Sequence, residues 1–127
     1  MNYVVRIPVR FPGLNEIIDA ARRSKYAAAS QKEEYQGVAV VCIRRQLPGI
    51  HITRPVQMIY HWREQDRRRD KSNIAAGGRK IIEDALIQAG VLHNDGWKDI
   101  VGFEDYFTVD KDDVGVTIEL VEVGECT

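Results

Sequence analysis

The sequence predicts an α+β fold: a single compact domain in which a mixed β-sheet carries two main helices. Three observations predict it. Four stretches alternate apolar and polar residues with the period of two that a strand imposes. Two stretches among them repeat apolar residues at three- and four-residue steps, the period of a helix. The chain has 127 residues, enough for one genuine core and too few for two ordinary domains. The order reads strand, helix, strand, helix, strand, strand.

Residues 3–11, YVVRIPVRF, alternate as a strand, and PGLN at 12–15 ends it as a turn. From residue 16 to 46 the pattern is helical in parts. It is sharpest over 31–47, where Tyr35, Val38, Ala39, Cys42 and Ile43 recur at helical steps and Pro48-Gly49 closes the run. Residues 55–64, PVQMIYHWRE, form the second strand. A second helix is expected over 72–89, with Gly90 as its stop. Residues 99–109 and 114–123 alternate as two more strands around the acidic turn DKDD at 110–113. There is no internal repeat, low-complexity tract or linker.

Composition narrows the function classes. Hydrophobic residues at 44% and charged residues at 29% define a globular chain and exclude wholesale disorder. No apolar run reaches the length of a membrane span, and MNYVVRIPVRF lacks the apolar core of a signal peptide, so no membrane partner is expected. Cys42 and Cys126 stand far apart and outside any C-x-x-C pair, which points to a reducing cytoplasm without a disulfide framework or zinc site. The net charge of −1 argues against a broadly basic nucleic-acid coat, yet it leaves room for a local basic patch.

Such a patch stands at "RRRDKSNI", residues 67–74. On the helix that follows, Ile74, Ile81, Ile82, Ala85, Leu86 and Ala89 fall on one side and form its core face. With Ile74 at zero, Asn73, Gly77, Lys80 and Asp84 lie at roughly 240–300° on an ideal helix. An amide, a glycine, a lysine and a carboxylate therefore share one stripe. Ordinary helix chemistry accounts for part of this: Asp70 or Ser72 can cap the helix, and Lys80 with Asp84 is an i,i+4 pair. Gly77 and Gly78 are different. Each costs about 1 kcal/mol in a helix interior, so a close approach of other chain is expected there. Arg67, Arg68 and Arg69 sit where strand passes into helix, and there a phosphate can use both guanidiniums and a helix N-terminus. Beyond the helix, Asp95 lies in the turn N-D-G. His93-Asn94 has no further histidine of the kind an HNH nuclease needs.

Taken together, PGLNE at 12–16, RRRDKSNI at 67–74 and RKIIEDALIQAGVLHND at 79–95 resemble the RusA-type Holliday junction resolvases of phages and prophages. The similarity runs over most of the chain. It implies a small homodimeric, Mg²⁺-dependent endonuclease, with Mn²⁺ as a substitute metal, that resolves four-way DNA junctions in recombination and repair. Asp70 matches the first aspartate of the family's R-D-x-D-N signature, Asn73 its asparagine, and Asp95 the aspartate after the second helix. Lys80 matches the active-site lysine because it stands four residues before the aspartate of D-A-L, here Asp84, although the match needs one extra helical turn after Asn73.

The departure is Ser72, which occupies the position of the signature's second carboxylate. Mg²⁺ prefers anionic oxygen ligands but often takes only one or two from protein. The implied arrangement has Asp70 and Asp95 as metal ligands and Lys80 as the group that stabilises developing charge. Arg67, Arg68, Arg69 and Asn73 are the implied DNA contacts. Three classes stand open at this point: a junction-cutting hydrolase, a branched-DNA-binding protein that has lost cleavage with Ser72, and an interaction module without nucleic acid. A two-fold junction suits a C2 dimer with two equivalent sites. The stretch at 99–109 and the first helix are both candidates for its interface.

Overall fold

The computed structural model describes residues 1–124, so Cys126 lies outside the described residues. In chain order the elements are β1 (Asn2–Ile7), α1 (Leu14–Arg23), α2 (Lys25–Gln46), β2 (Val56–Glu64), α3 (Lys71–Gln88), β3 (Ile100–Val109) and β4 (Gly115–Glu122). The four strands form one sheet in the order β1-β4-β2-β3. β4 runs antiparallel to both β1 and β2, whereas β2 and β3 are parallel and joined across α3. The sheet is thus mixed, as the sequence predicts, with α3 as the crossover that a parallel pair requires.

One side of the sheet builds the core. Along β2, Val56, Met58, Tyr60, Trp62 and Glu64 are buried and the residues between them are half-buried. Val5 and Ile7 of β1 and Val116, Ile118 and Leu120 of β4 face the same way. Against them pack Ala39, Val40 and Ile43 of α2 and Ile74, Ile81, Ile82, Ala85 and Leu86 of α3. The core face expected for the helix at 72–89 is therefore the one it uses, with Ala89 packed at its margin.

Three helices stand where two main ones are expected, and a serine is the reason. Ser24 adopts an extended backbone (φ −175°, ψ 161°), and its Oγ accepts from the Ala27 N–H at 2.9 Å. It closes α1 and caps α2, a role for which its short oxygen is suited. The first helix also begins earlier than residue 16. Gly13 is its N-cap, and the Glu16 carboxylate accepts from the Gly13 N–H at 3.2 Å, so Leu14 and Asn15 belong to α1 rather than to a turn. β1 is shorter than residues 3–11: it ends at Ile7, before Pro8, which has no N–H for a ladder. Gly90, at φ +81°, stops the helical segment where expected. Among the described residues, no helix is long and apolar enough to cross a membrane.

Candidate functional site

The site residues gather along α3. Asp70 is its N-cap, with an extended backbone (φ −68°, ψ 148°) and a carboxylate that makes no capping hydrogen bond. Asp70 therefore holds the capping position while its side chain remains exposed and uncommitted. Beside it runs an open groove of about 860 Å³ between the start of α3 and the end of β3. Glu64, Asp66, Arg67, Arg69, Lys71 and Ser72 line one side, Phe107, Thr108 and Val109 the other. Ser72 is exposed in the first turn of α3.

The three arginines have different roles. Arg69 is turned inward, with its side chain 9% exposed. It grips Glu64 through two hydrogen bonds of 3.0 and 2.8 Å, and a third nitrogen contact reaches Glu16 and the Phe11 carbonyl, each at 2.9 Å. Its donors thus tie β2, the segment before α1 and α1 itself into one corner and are not free for phosphate. Arg10 lies against the same pair, 3.8 Å from Glu16 and 3.9 Å from Glu64. Arg67 and Arg68 remain exposed, the latter 3.7 Å from Asp66. Asn73 faces inward to the chain as well: its Oδ1 accepts from the Asn15 N–H at 2.8 Å, which satisfies a first-turn donor of α1.

The two glycines explain how this corner closes. A Cβ on Gly77 would lie 2.2 Å from the Pro12 carbonyl oxygen and 2.7 Å from the Gly13 Cα. A Cβ on Gly78 would lie 2.5 Å from the Trp62 ring. PGLNE is thus laid directly on the backbone of α3, and the expected close approach is between parts of this chain.

Less than one turn beyond the glycines, Lys80 and Asp95 meet. Lys80 Nζ lies 2.5 Å from Asp95 Oδ2 and 3.2 Å from Asp84 Oδ1, and Lys32 of α2 approaches Asp84 at 2.8 Å. The hydrogen bond to Asp95 is the main cause that raises the lysine's pKa. For Asp84, burial pushes the pKa upward, but the hydrogen bonds from Lys32 and Lys80 outweigh it and hold the group below its ordinary value. Ten residues of helix, about 15 Å along the axis, separate the backbones of Asp70 and Lys80.

Sequence reasoning missed a buried polar layer beneath this stripe. The Tyr60 hydroxyl donates to Glu83 at 3.2 Å, and both side chains are buried. Burial raises the Glu83 pKa, and nearby Asp95 adds to the effect. Next to them Arg79 pairs with Asp105 of β3, which also accepts from the Trp62 indole N–H at 2.8 Å. The period-two pattern carried one usable signal. Glu64 continues the inward series 56, 58, 60, 62, and an inward carboxylate needs a cation.

Of the expected ligands, Asp70 is uncommitted at the groove, and Asp95 pairs with Lys80 outside the groove lining. This chemistry fits a hard cation held by one or two carboxylates and water. Among the described residues, no three acidic, histidine or cysteine side chains converge at metal-binding distance. No family model matches the chain, and no curated protein matches it.

Proposed function

We propose that the protein is a structure-selective endonuclease that hydrolyses phosphodiesters at four-way DNA junctions, acting as a homodimer with Mg²⁺ or Mn²⁺. The observation that carries this reading is the Lys80–Asp95 contact. It joins two residues fifteen apart in sequence that the RusA resemblance assigns to one active site. The uncommitted Asp70 carboxylate at the start of the same helix supports it.

In this reading Asp95, beside Lys80, would hold the cation, and Asp70, about 15 Å back along α3, would supply a second, separate carboxylate at the groove. A bound cation would polarise the scissile phosphate and lower the pKa of a coordinated water. Lys80, which pairs with Asp95 here, would with a cation on that carboxylate be free to stabilise the charge that develops on phosphorus-bound oxygen. Asp84, held ionised by Lys32, keeps Lys80 protonated and oriented during that exchange. Arg67 and Arg68 bind backbone phosphates at the groove mouth. Arg69 and Asn73 act as positioning residues, because their polar atoms fix the segment on which the site stands.

A second reading rests on Ser72. With serine in place of a carboxylate, the protein binds branched DNA without cutting it. A cleavage assay on a synthetic four-way junction with Mg²⁺ or Mn²⁺ separates the two. The nuclease reading expects paired symmetric nicks that fall by roughly 100-fold or more in Asp70→Asn and in Asp95→Asn. Tight binding in EDTA with no nicks under any metal selects the second reading, and Ser72→Asp should then restore cleavage. Neither binding nor nicking would refute both.

A further inference from the structure

The turn that follows Asp95 holds a tryptophan that the fold leaves in water. Trp97 is 98% exposed, whereas Trp62, the chain's other tryptophan, is 3% exposed and stacked on Tyr60 at 5.3 Å. An indole seldom stands fully in solvent, because its large apolar ring gains so much from burial. A loose loop would account for it, but this loop is fastened at both ends. Leu92 is buried and bridges to Ile52, whose N–H donates to the Val91 carbonyl at 2.8 Å. At the other end the Gly96 carbonyl accepts from the Asp99 and Ile100 N–H groups, each at 3.0 Å. The Asp99 carbonyl in turn accepts from the Val56 N–H at 2.9 Å. Trp97 is therefore presented to solvent by a hydrogen-bonded turn.

The surroundings of the ring indicate what kind of ligand suits it. A protein-binding hot spot sets its aromatic anchor among packed neighbours that exclude water. Here Asn94, Gly96 and Lys98 are exposed beside the ring, and none carries an apolar side chain. Lys98 pairs with no carboxylate among the described residues. A flat π face next to a cation matches a nucleobase and its phosphate: the base stacks on the ring while the ammonium meets the backbone. Position narrows the ligand further. Trp97 follows Asp95 by two residues, so their Cα atoms lie within about 7 Å. Asp95 pairs with Lys80, so a base on Trp97 belongs to the same short strand segment as a phosphate at Lys80. A base inside a duplex arm has both faces covered by its neighbours. Drawing a base out of the stack costs least where pairing and stacking are already interrupted, as they are at a branch point.

We propose that Trp97 is a stacking platform for a nucleobase unstacked at the branch point, with Lys98 on the adjoining phosphate. This rests on the nucleic-acid reading above and deepens it. It names the feature, an unstacked base, by which the site tells a junction from linear duplex.

Trp97 reports on its own contact, since the other indole is buried. A synthetic four-way junction and a linear duplex of the same arm sequence are titrated into the full chain in EDTA, so that no strand is cut. The junction should quench the emission of the exposed tryptophan and shield it from acrylamide, and the duplex should do so far less. Trp97→Ala should weaken junction binding about 10-fold or more, and Trp97→Phe, which keeps a flat ring, should weaken it less. Both variants should melt at the parent's temperature, because the ring is not part of the core. A parent that binds the junction while Trp97 stays as open to acrylamide as in the free protein would overturn the inference and leave the nuclease reading standing. Equal quenching by junction and duplex would overturn it too, because the ring would then not sense an unstacked base. So would emission that shifts to the blue with protein concentration alone, which would assign the ring to a contact between proteins. No junction binding by the parent would refute the reading above and this contact with it.

Discussion

Arg69 sets the character of the corner beside Asp70. Removing a buried charge partner generally costs about 3–5 kcal/mol, because the remaining charge is left without compensation. Glu64 is as buried as Arg69, at 9%, so Arg69→Ala should lose about 3 kcal/mol in urea denaturation. Arg69→Met/Glu64→Gln should recover most of it, since no unpaired charge remains. If the double variant were as unstable as the single one, the clamp would matter for shape rather than charge. Glu83 makes a different prediction, in pH. Burial raises its folded pKa above the ordinary glutamate value, so between the unfolded and folded values the native state holds a proton there that the unfolded chain has released. Stability from this group is present below the unfolded value and is lost as pH rises through the folded one. Glu83→Gln keeps an acceptor for Tyr60 and removes that titration. The melting temperature of the variant should therefore fall less than the parent's as pH is raised from 4 upward, and an unchanged slope would show that Glu83 does not carry it.

At the scale of elements, glycines divide by what surrounds them. Gly37, inside α2, has nothing within 4 Å of an added Cβ. Gly37→Ala should stabilise the protein by about 0.5–1 kcal/mol through helix propensity alone. Gly77→Ala gains the same propensity but drives a methyl into the Pro12 carbonyl, and overpacking of this kind costs roughly 1–3 kcal/mol. Its net effect should be destabilising in the same denaturation measurement. The sequence made this contrast half legible. Two glycines in a strongly patterned helix announced a close approach, because periodicity and propensity are local properties. That the approaching segment was PGLNE depends on tertiary placement, which no local pattern encodes. The break at Ser24 was missed because the helical pattern continues across it on both sides. The strands were legible because one sheet face is buried and the other is not, which imposes a clean alternation on β2. The Lys80–Asp95 meeting was proposed through the resemblance and not from spacing, since Asp95 belongs to a turn whose path the helix does not dictate.

For the whole molecule, a net charge of −1 looks unsuited to DNA until the charges are assigned to partners. Arg6 and Arg63 pair with Asp113, Arg69 with Glu64, Arg79 with Asp105, Lys32 with Asp84, and Lys80 with Asp84 and Asp95. Apart from one surplus cation at Asp113, which Arg6 and Arg63 share, these charges cancel at a distance. Arg67 and Lys71 form no such pair among the described residues, and they flank Asp70 at the groove. The groove thus offers two unpaired cations to a phosphate although the chain as a whole sums to −1. If these two cations contact junction phosphates, each contributes about 0.9 to the slope of log K against log salt. Arg67→Ala/Lys71→Ala should then lower the slope for junction binding in EDTA by about 2 and weaken binding most at low salt. Arg6→Ala, which pairs with Asp113 and lies outside the groove lining, should leave the slope unchanged. Equal loss in both variants would mean that DNA senses net charge alone. No loss in the double variant would move the binding surface away from the start of α3, and would remove the case for Asp70 as part of the site.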